Sequence, residues 1–259
     1  AAYSQFSLDN ALLKTGDVKK NQQLADFIYA FCNNPKDWFY KDQPAKSISN
    51  DMKLKNGLLR TIDFKEYQVS IRKPLKAYLN NWKILTNSNP ATGGYLITEQ
   101  LKHALNNSDD NDLLLVEAMQ YADHLKKNSN LNGTQSSKGT THMSIIDSDG
   151  NAASLTVSNG EGNGYMVPDC GFMLNNFLGE EDINAGGFFK WKENSRMTSM
   201  MSPTILSNKD YVVALGTGGS NRIKTALFQV IWHMIVENKS LVDSVNLPRI
   251  HFENNRVDI

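Results

Sequence analysis

Residues 139–151 read Gly139-Thr140-Thr141-His142-Met143-Ser144-Ile145-Ile146-Asp147-Ser148-Asp149-Gly150-Asn151. A polar segment ends at Gly139, and the alternating run that follows breaks at 148–151 and resumes over 152–158, which predicts a β-hairpin. If the chain is cut before Thr140, the new α-amine, with a pKa of about 7.7–8.0, becomes a base for the Thr140 hydroxyl. The alternative is that Thr140 and Thr141 are ordinary strand residues, because threonine favours strands.

Composition limits the classes of function. The chain has 259 residues, 27 acidic and 27 basic, and 40% hydrophobic content, which suits one large domain or two small ones. Formal neutrality gives no reason to expect nucleic acid or an anionic membrane surface as a partner. No apolar run reaches the ~18 residues that a membrane span needs.

The metal-binding and thiol residues are scattered along the chain. Cys32 and Cys170 are isolated, so two unpaired thiols are favoured over a disulfide. The five histidines form no cluster with cysteines or with each other, so neither a metal site nor a cofactor is predicted.

Apolar spacing predicts several regular elements. Helices are expected around residues 24–31, over 95–105, over about 112–125, and from Arg222 through Ile235. Strands are expected over 67–71, 82–86, 171–176, 204–207 and 211–215. The aromatic cluster at residues 38–40 is interpreted as core.

The spacing Thr-Thr-His-x-Ser-x-x-Asp-x-x-Gly-Asn from Thr140 onward resembles the start of the small subunit in the gamma-glutamyltranspeptidase family, whose members cut themselves before that first Thr. Residues 196–204 and the Pro-Arg-x-His at 248–251 also resemble this family. The resemblance implies an α+β fold, the αββα sandwich of N-terminal-nucleophile hydrolases, with two stacked, mainly antiparallel sheets flanked by helices. Residues 1–139 would be the C-terminal part of a large-subunit-like region and residues 140–259 the small-subunit-like region, together one domain. The front of the large subunit would then be a partner, and the chain is expected to begin and end inside a longer precursor.

The resemblance also implies roles in catalysis. Thr140 would be the nucleophile and Ser158 a second hydroxyl bonded to it. An ungapped match places the two oxyanion-binding backbone N–H groups on Gly219 and Ser220. Independently, this glycine turn precedes a predicted helix, where free N–H groups and the helix dipole favour negative charge. A phosphate loop is the competing interpretation, but its Gly-x-x-x-x-Gly-Lys-Ser/Thr pattern is absent.

Further positions match substrate-binding residues of the family. Asn159 would hold the head group, and Ser199 would bind the α-carboxylate. Met200 replaces a second serine there and cannot donate a hydrogen bond. An acidic residue for the α-amine is expected among Glu180, Glu181 and Asp182, and an ungapped count favours Glu180. The family's substrate-clamping Arg belongs to the missing front portion.

The implied reaction is transfer of a γ-glutamyl group from an amide such as glutathione, through an acyl-enzyme, to water or to an amino acid or peptide. The segment 183–195 is shorter than the lid of better-known members, and together with Met200 this favours hydrolysis and larger substrates. A β-lactam side-chain acylase and a poly-γ-glutamate depolymerase are alternatives with the same nucleophile. A non-catalytic or unprocessed binding homologue is a third alternative, against which the intact motif speaks. The resemblance implies a periplasmic or secreted location.

Overall fold

The computed structural model describes residues 3, 6–35, 37–107, 113–128, 139–184 and 186–259, with Asp182 described by its backbone only. The chain divides into two compact units, one formed by residues 1–71 and 162–175 and the other by residues 72–161 and 176–259. The boundary predicted before Thr140 lies inside the second unit, since it marks an expected cleavage position and not an edge of packing.

The first unit is mainly helical. Its elements are β1 (Ser7–Leu8), β2 (Ala11–Leu12), α1 (Gln22–Asn33), α2 (Trp38–Lys41), α3 (Gln43–Leu54) and α4 (Thr61–Glu66). The predicted helix around 24–31 is confirmed as α1, and the Asn21 side chain caps it by accepting from the Leu24 backbone N–H at 3.0 Å. Phe27 packs edge-on against Phe172, with ring centroids 5.0 Å apart, next to the buried Ile48 and Val167.

Two strands predicted for this unit are wrong. Residues 67–71 have no strand pairing, and Val69 and Ile71 are exposed, so their alternation reflects no buried face. Residues 171–176 make one isolated bridge, between Met166 and Met173. Gly171 has a φ of +66°, which starts a turn back along the preceding loop and prevents a regular strand there.

The second unit contains the remaining elements. They are β3 (Leu75–Leu79), β4 (Trp82–Thr86), α5 (Gly93–Asn106), α6 (Leu114–Asn128), β5 (Thr140–Ile146), β6 (Ala152–Ser158), β7 (Thr204–Ser207), β8 (Val212–Leu215), α7 (Arg222–Ile235), α8 (Leu241–Asn246), β9 (His251–Glu253) and β10 (Arg256–Asp258). The predicted helices that correspond to α5, α6 and α7 are confirmed, as are strands β4, β7 and β8 and the hairpin β5–β6. Residue 112, where α6 was expected to begin, lies outside the described residues.

The described strands of this unit belong to three separate sheets. Strands β3, β4, β7 and β8 form an antiparallel sheet in the order β3-β4-β7-β8, while β5–β6 and β9–β10 are two-stranded hairpins. The main core contains buried side chains from the four-stranded sheet and from α5, α6 and α7, including Ile84, Ile97, Met119, Leu206 and Phe228. These observations confirm the α+β class. Among the described ranges, no helix is long and apolar enough to cross a membrane.

The β5–β6 hairpin is fixed to the larger sheet by polar contacts. Ser154 Oγ donates to the Leu215 carbonyl at 2.9 Å and accepts from the Thr204 N–H at 3.0 Å. The His142 ring lies between Thr156 Oγ1, at 2.8 Å, and Ser144 Oγ, at 2.9 Å. Burial lowers the pKa of His142, so the ring is neutral at neutral pH. These contacts bring the first residue of β5 towards the end of β8.

Candidate active site

The turn of the hairpin sets the register that places Thr140. Asp147 Oδ1 accepts from the backbone N–H groups of Asp149, at 3.0 Å, and Asn151, at 2.8 Å. This tight Asx-type turn fixes the pairing, so that Thr140 lies opposite Ser158 at the open end of the hairpin. There Thr140 Oγ1 donates to Ser158 Oγ at 3.2 Å. The predicted pair of hydroxyls is therefore in hydrogen-bond contact.

Ser158 also fixes the loop that follows it. Its Oγ accepts from the Gly160 N–H at 3.1 Å, and a serine oxygen has two lone pairs to accept both bonds. The hydroxyl proton of Thr140 therefore points to Ser158, and the lone pairs of Thr140 Oγ1 point away from Ser158.

Gly139 is packed so closely that no side chain fits there. A Cβ at this position would collide with the Gly160 carbonyl oxygen. The Asn159 amide faces two carbonyl oxygens, so the hydrogen-bond network orients its Nδ2 toward them. It then donates to the carbonyls of Gly139 and Gly160, each at 3.2 Å. In the uncut chain Asn159 thus holds the carbonyl immediately before Thr140, a contact that the sequence analysis did not anticipate.

The glycine turn before α7 lies against Thr140. A Cβ on Gly218 would be 2.5 Å from the Thr140 carbonyl oxygen and 3.2 Å from Thr140 Cβ. Gly219 and Ser220 follow with φ values of +120° and +50°, and the Arg222 N–H then donates to the Gly219 carbonyl at 2.9 Å. Gly218, one position before the predicted oxyanion pair, therefore lies directly against Thr140.

A pocket opens beside Thr140 and Ser158. Four further predicted site residues line it: Glu180, Ser199, Met200 and Ser220. The pocket also has lining residues that the sequence motifs do not single out, namely Thr92, Phe177, Ile183, Thr198, Met201, Asn221 and Ile223. Three of these residues, Thr198, Met201 and Asn221, are sequence neighbours of predicted site residues, and this was the main clue to them in the sequence. The pocket combines hydroxyls and one carboxylate with an apolar wall.

Of the three candidate acids, Glu180 is the one that lines the pocket. Its carboxylate, together with the Asn176 amide oxygen, occupies the space that a Cβ on Gly160 would take. Asn176 Oδ1 accepts from the Glu161 N–H at 2.8 Å, which fixes the loop against which Glu180 packs. Glu181 is exposed at the start of a short 3₁₀ turn, and the side chain of Asp182 lies outside the described residues.

Ser199 and Met200 are tied to the start of α5. The Ser199 carbonyl accepts from the Thr92 N–H at 2.9 Å. The Met200 side chain packs against the main core, with its sulfur 3.8 Å from Thr92 Oγ1. Met200 therefore contributes an apolar surface, while Thr92 and Thr198 are additional hydroxyl groups in the same pocket.

The described residues contain no group of three or more His, Cys, Asp or Glu side chains that could hold a metal ion. Cys32 is exposed and Cys170 is buried.

The comparisons with known proteins first define the class. The structure of cephalosporin acylase from Bacillus halodurans superposes with a TM-score of 0.75 at 19% identity, covering 97% of this chain and 54% of that one. The chain thus shares the fold of this acylase, in agreement with the predicted fold class, and Thr140 is the first residue of the β5–β6 hairpin.

The family follows from the sequence. The gamma-glutamyltranspeptidase family model matches residues 1–125 and 100–259, and the chain belongs to this family. A glutathione hydrolase proenzyme of Bacillus subtilis subsp. natto is 26% identical over 97% of this chain and 54% of its own length. The capsule biosynthesis protein CapD proenzyme of Bacillus anthracis is 26% identical over 94% of this chain and 51% of its own length. The chain spans about half the length of the curated relatives it matches.

Proposed function

We propose that this chain carries the nucleophile of a γ-glutamyl hydrolase or transferase that is activated by cleavage of its own Gly139–Thr140 bond. The observation that carries the proposal is the arrangement around this bond. The Thr140 hydroxyl bonds to Ser158 at 3.2 Å, and the Asn159 amide donates to the Gly139 carbonyl at 3.2 Å. A nucleophile and a polarised carbonyl thus belong to adjacent residues.

Cleavage proceeds as an acyl shift. Thr140 Oγ, oriented by its bond to Ser158, attacks the Gly139 carbonyl carbon, and the hydroxyl proton ends on the Thr140 nitrogen when the C–N bond breaks. The Asn159 amide stabilises the negative charge that develops on the Gly139 oxygen, as a fixed hydrogen-bond donor does in an oxyanion hole. The C–N bond breaks to give an ester and a free Thr140 amine, and water then hydrolyses the ester to leave Gly139 with a carboxylate.

Turnover uses the same hydroxyl with a new base. The freed Thr140 α-amine accepts the Oγ proton, a role worth on the order of 10²–10⁴ in rate. When Oγ attacks a γ-glutamyl amide, the turn at Gly219 and Ser220 receives the oxyanion. The amide C–N bond then breaks, the Thr140 ammonium returns the proton to the departing amine, and the acyl-enzyme remains. Water or an amine acceptor then releases the glutamyl group.

The substrate's polar head fits the chemistry of the pocket. Glu180 has the charge to bind an α-ammonium group, and Ser199 with the additional hydroxyls of Thr92 and Thr198 can bind an α-carboxylate. After cleavage, Asn159 loses the Gly139 peptide carbonyl as a partner, and its amide becomes available to substrate. This reconciles its observed contact with the role that the resemblance implies.

A polymeric γ-glutamyl substrate is the second candidate. Residues 186–190 are exposed, Phe189 completely so, and the segment 183–195 is shorter than the lids of better-known family members. The relatives include a capsule biosynthesis protein as well as glutathione hydrolases. An open site admits water and large substrates, so hydrolysis should exceed transfer. A periplasmic or secreted location, where such substrates occur, is part of the same proposal.

The test is the fate of the Gly139–Thr140 bond in the full protein that contains this chain. Thr140→Ala should leave one uncut polypeptide by mass spectrometry, with no turnover of glutathione or of a poly-γ-glutamate oligomer. The matched control is Thr141→Ala, because Thr141 is the next residue of the same strand and is exposed. The control should cleave normally, and a Thr140→Ala protein that still yields a fragment beginning at residue 140 would overturn the proposal.

Substrate choice is tested on the wild-type enzyme. Turnover of glutathione and of the oligomer is compared with and without glycylglycine as acceptor. Release of free glutamate that glycylglycine barely reduces is the expected result. Dominant transfer to glycylglycine with tight glutathione binding would contradict the open, hydrolytic site.

A further inference from the structure

A cluster of buried charged side chains lies at the start of α7, directly after the oxyanion turn. Lys126, from α6, is 3% exposed, Lys224, from α7, is fully buried, and Glu253, from β9, is 7% exposed. Burying charge is costly, and replacing a buried ion pair by apolar residues is often neutral or stabilising. Stability alone therefore gives little reason for three buried charges at this place.

The two lysines hold the same residue, Asn221. Lys126 Nζ donates to Asn221 Oδ1 at 2.9 Å, and Lys224 Nζ donates to the Asn221 main-chain carbonyl at 3.2 Å. Asn221 lies at the N-cap of α7, yet its side chain makes no capping hydrogen bond to the helix. Its amide oxygen is bonded to Lys126 instead, so both its side chain and its backbone are fixed from inside the protein.

The rest of the cluster keeps the lysines in place. Glu253 Oε1 is 3.1 Å from Lys126 Nζ, and Glu253 Oε2 is 3.5 Å from His251 Nε2. His251 Nδ1 is in turn 2.8 Å from Thr225 Oγ1 on α7. Burial alone would raise the pKa of Glu253, but the His251 contact and the charges of Lys224 and Lys126 lower it to about 2. The carboxylate is therefore ionised and is the counterion of both lysines.

We infer that Lys126 and Lys224, with Glu253 as their counterion, are positioning residues that hold Asn221 and thereby fix the oxyanion turn at Gly219 and Ser220 against Thr140. The turn and Asn221 are consecutive, and the Ile223 N–H donates to the Ser220 carbonyl at 3.1 Å, so a shift of Asn221 shifts the turn. Ser220 is one residue from this anchor and lines the nucleophile's pocket together with Asn221. This inference rests on the proposed function for its catalytic consequence, but the anchoring itself does not depend on the substrate.

The first variant is the double substitution Lys126→Met with Glu253→Gln, which removes both members of the 3.1 Å ion pair. Lys224 loses its counterion in this variant but keeps the Asn221 carbonyl as its acceptor. Hydrogen exchange at the peptide 216–221, followed by mass spectrometry, should be about tenfold faster in the double variant than in wild type. With γ-glutamyl-p-nitroanilide as the probe, kcat should fall about tenfold at nearly constant KM. A misplacement of about 1 Å can cost about 10²-fold, and a looser turn displaces the oxyanion donors by less than that.

The matched control is Lys127→Met, which removes the neighbouring ammonium on α6 and its 2.7 Å ion pair with Asp123. It should leave both exchange at 216–221 and kcat unchanged, even if the unfolding temperature falls. Lys126→Arg keeps a charged donor and should restore most of the protection at the turn. If the double variant does not fold, Asn221→Ala replaces it, because it removes the acceptor of Lys126 and leaves the Lys126–Glu253 pair intact.

The outcomes separate the two proposals. A wild-type protein that turns over no γ-glutamyl substrate contradicts the proposed function but leaves the exchange result to decide this inference. Unchanged exchange at 216–221 in the folded double variant, or in Asn221→Ala, would overturn the inference. A kcat loss of equal size in Lys127→Met would overturn it too, because the effect would then belong to α6 in general.

Discussion

The two sides of the pocket are held in different ways. Thr140 is positioned by neutral groups, through one hydroxyl contact of 3.2 Å with Ser158 and an amide that holds the preceding carbonyl. The oxyanion turn is followed by Asn221, which two buried ammonium groups hold at 2.9 and 3.2 Å. The difference fits the proposed chemistry. The nucleophile side has to rearrange when its peptide bond is cut, whereas the oxyanion side has to stay fixed before and after the cut.

The largest effect is expected where the two sides touch. A Cβ on Gly218 would lie 2.5 Å from the Thr140 carbonyl oxygen, so Gly218→Ala must move the turn away from the nucleophile. Turnover should fall by about 10²–10³, the effect of losing one oxyanion donor. The measurement is kcat with γ-glutamyl-p-nitroanilide.

The control for that substitution is Gly179→Ala. Gly179 belongs to the 3₁₀ turn at the pocket's edge, and an added Cβ there meets nothing within 4 Å. It should retain near-normal turnover, and both proteins should have wild-type circular dichroism. A folded Gly218→Ala enzyme with normal kcat would show that the turn can move without loss of activity. It would contradict the claim that the oxyanion side of the pocket has to stay fixed.

The second prediction concerns folding stability at low pH. Acid should weaken the oxyanion side of the pocket first, because that side contains the ionised carboxylate of Glu253. The pKa of Glu253 falls from 4.5 to about 2 on folding, so the unfolded chain binds the proton more tightly than the folded one. The stabilisation is present above pH 4.5 and is lost as the pH falls towards 2, by about 3 kcal/mol in total. Urea unfolding across this range measures it.

Glu253→Gln provides the comparison. This variant should be less stable than wild type at neutral pH, because two buried ammonium groups lose their counterion. Its free energy of unfolding should fall less than that of wild type between pH 4.5 and pH 2, because it has no carboxylate to protonate at this position. Asp210→Asn, at an exposed turn, controls for removing any carboxylate. Parallel acid curves for wild type and Glu253→Gln would disprove the assignment.

The two sides also differ in how far the sequence predicts them. The nucleophile side is local. Residues 139–158 contain the hairpin pattern, the turn residues and both hydroxyls, and the structure pairs Thr140 with Ser158 as this register requires. The glycine turn is also visible in the sequence before the α7 pattern, and the family resemblance added its role. The position of Glu180 follows from an ungapped count from Asn175-Asn176.

The buried charges that hold Asn221, and through it the oxyanion turn, could not be predicted in this way. These residues come from α6, α7 and β9, so their sequence separations exceed any helix or strand period. Lys126 and Lys224 look like ordinary surface lysines in the sequence, and only tertiary packing shows that they are 3% and 0% exposed. The strand error at 67–71 has a related origin, since alternation indicates a buried face only where another element covers it. The error at 171–176 differs, because the positive φ of Gly171 begins a turn there.

The smallest predicted effect probes the neutral side. Ser158→Ala removes the acceptor of the Thr140 hydroxyl and of the Gly160 N–H, which donates to Ser158 Oγ at 3.1 Å. A neutral hydrogen bond contributes about 0.5–1.5 kcal/mol, so self-cleavage should slow by roughly three- to tenfold. Ser158→Thr keeps a hydroxyl at the end of β6 and should recover most of the rate. The rate is followed as loss of uncut chain on a denaturing gel after rapid purification.

Because the buried charges that hold Asn221 are untouched, hydrogen exchange at 216–221 should not change in either variant. An Ala variant that cleaves at the wild-type rate would show that Ser158 does not orient the nucleophile, whereas faster exchange at the turn would show that the two sides of the pocket are coupled.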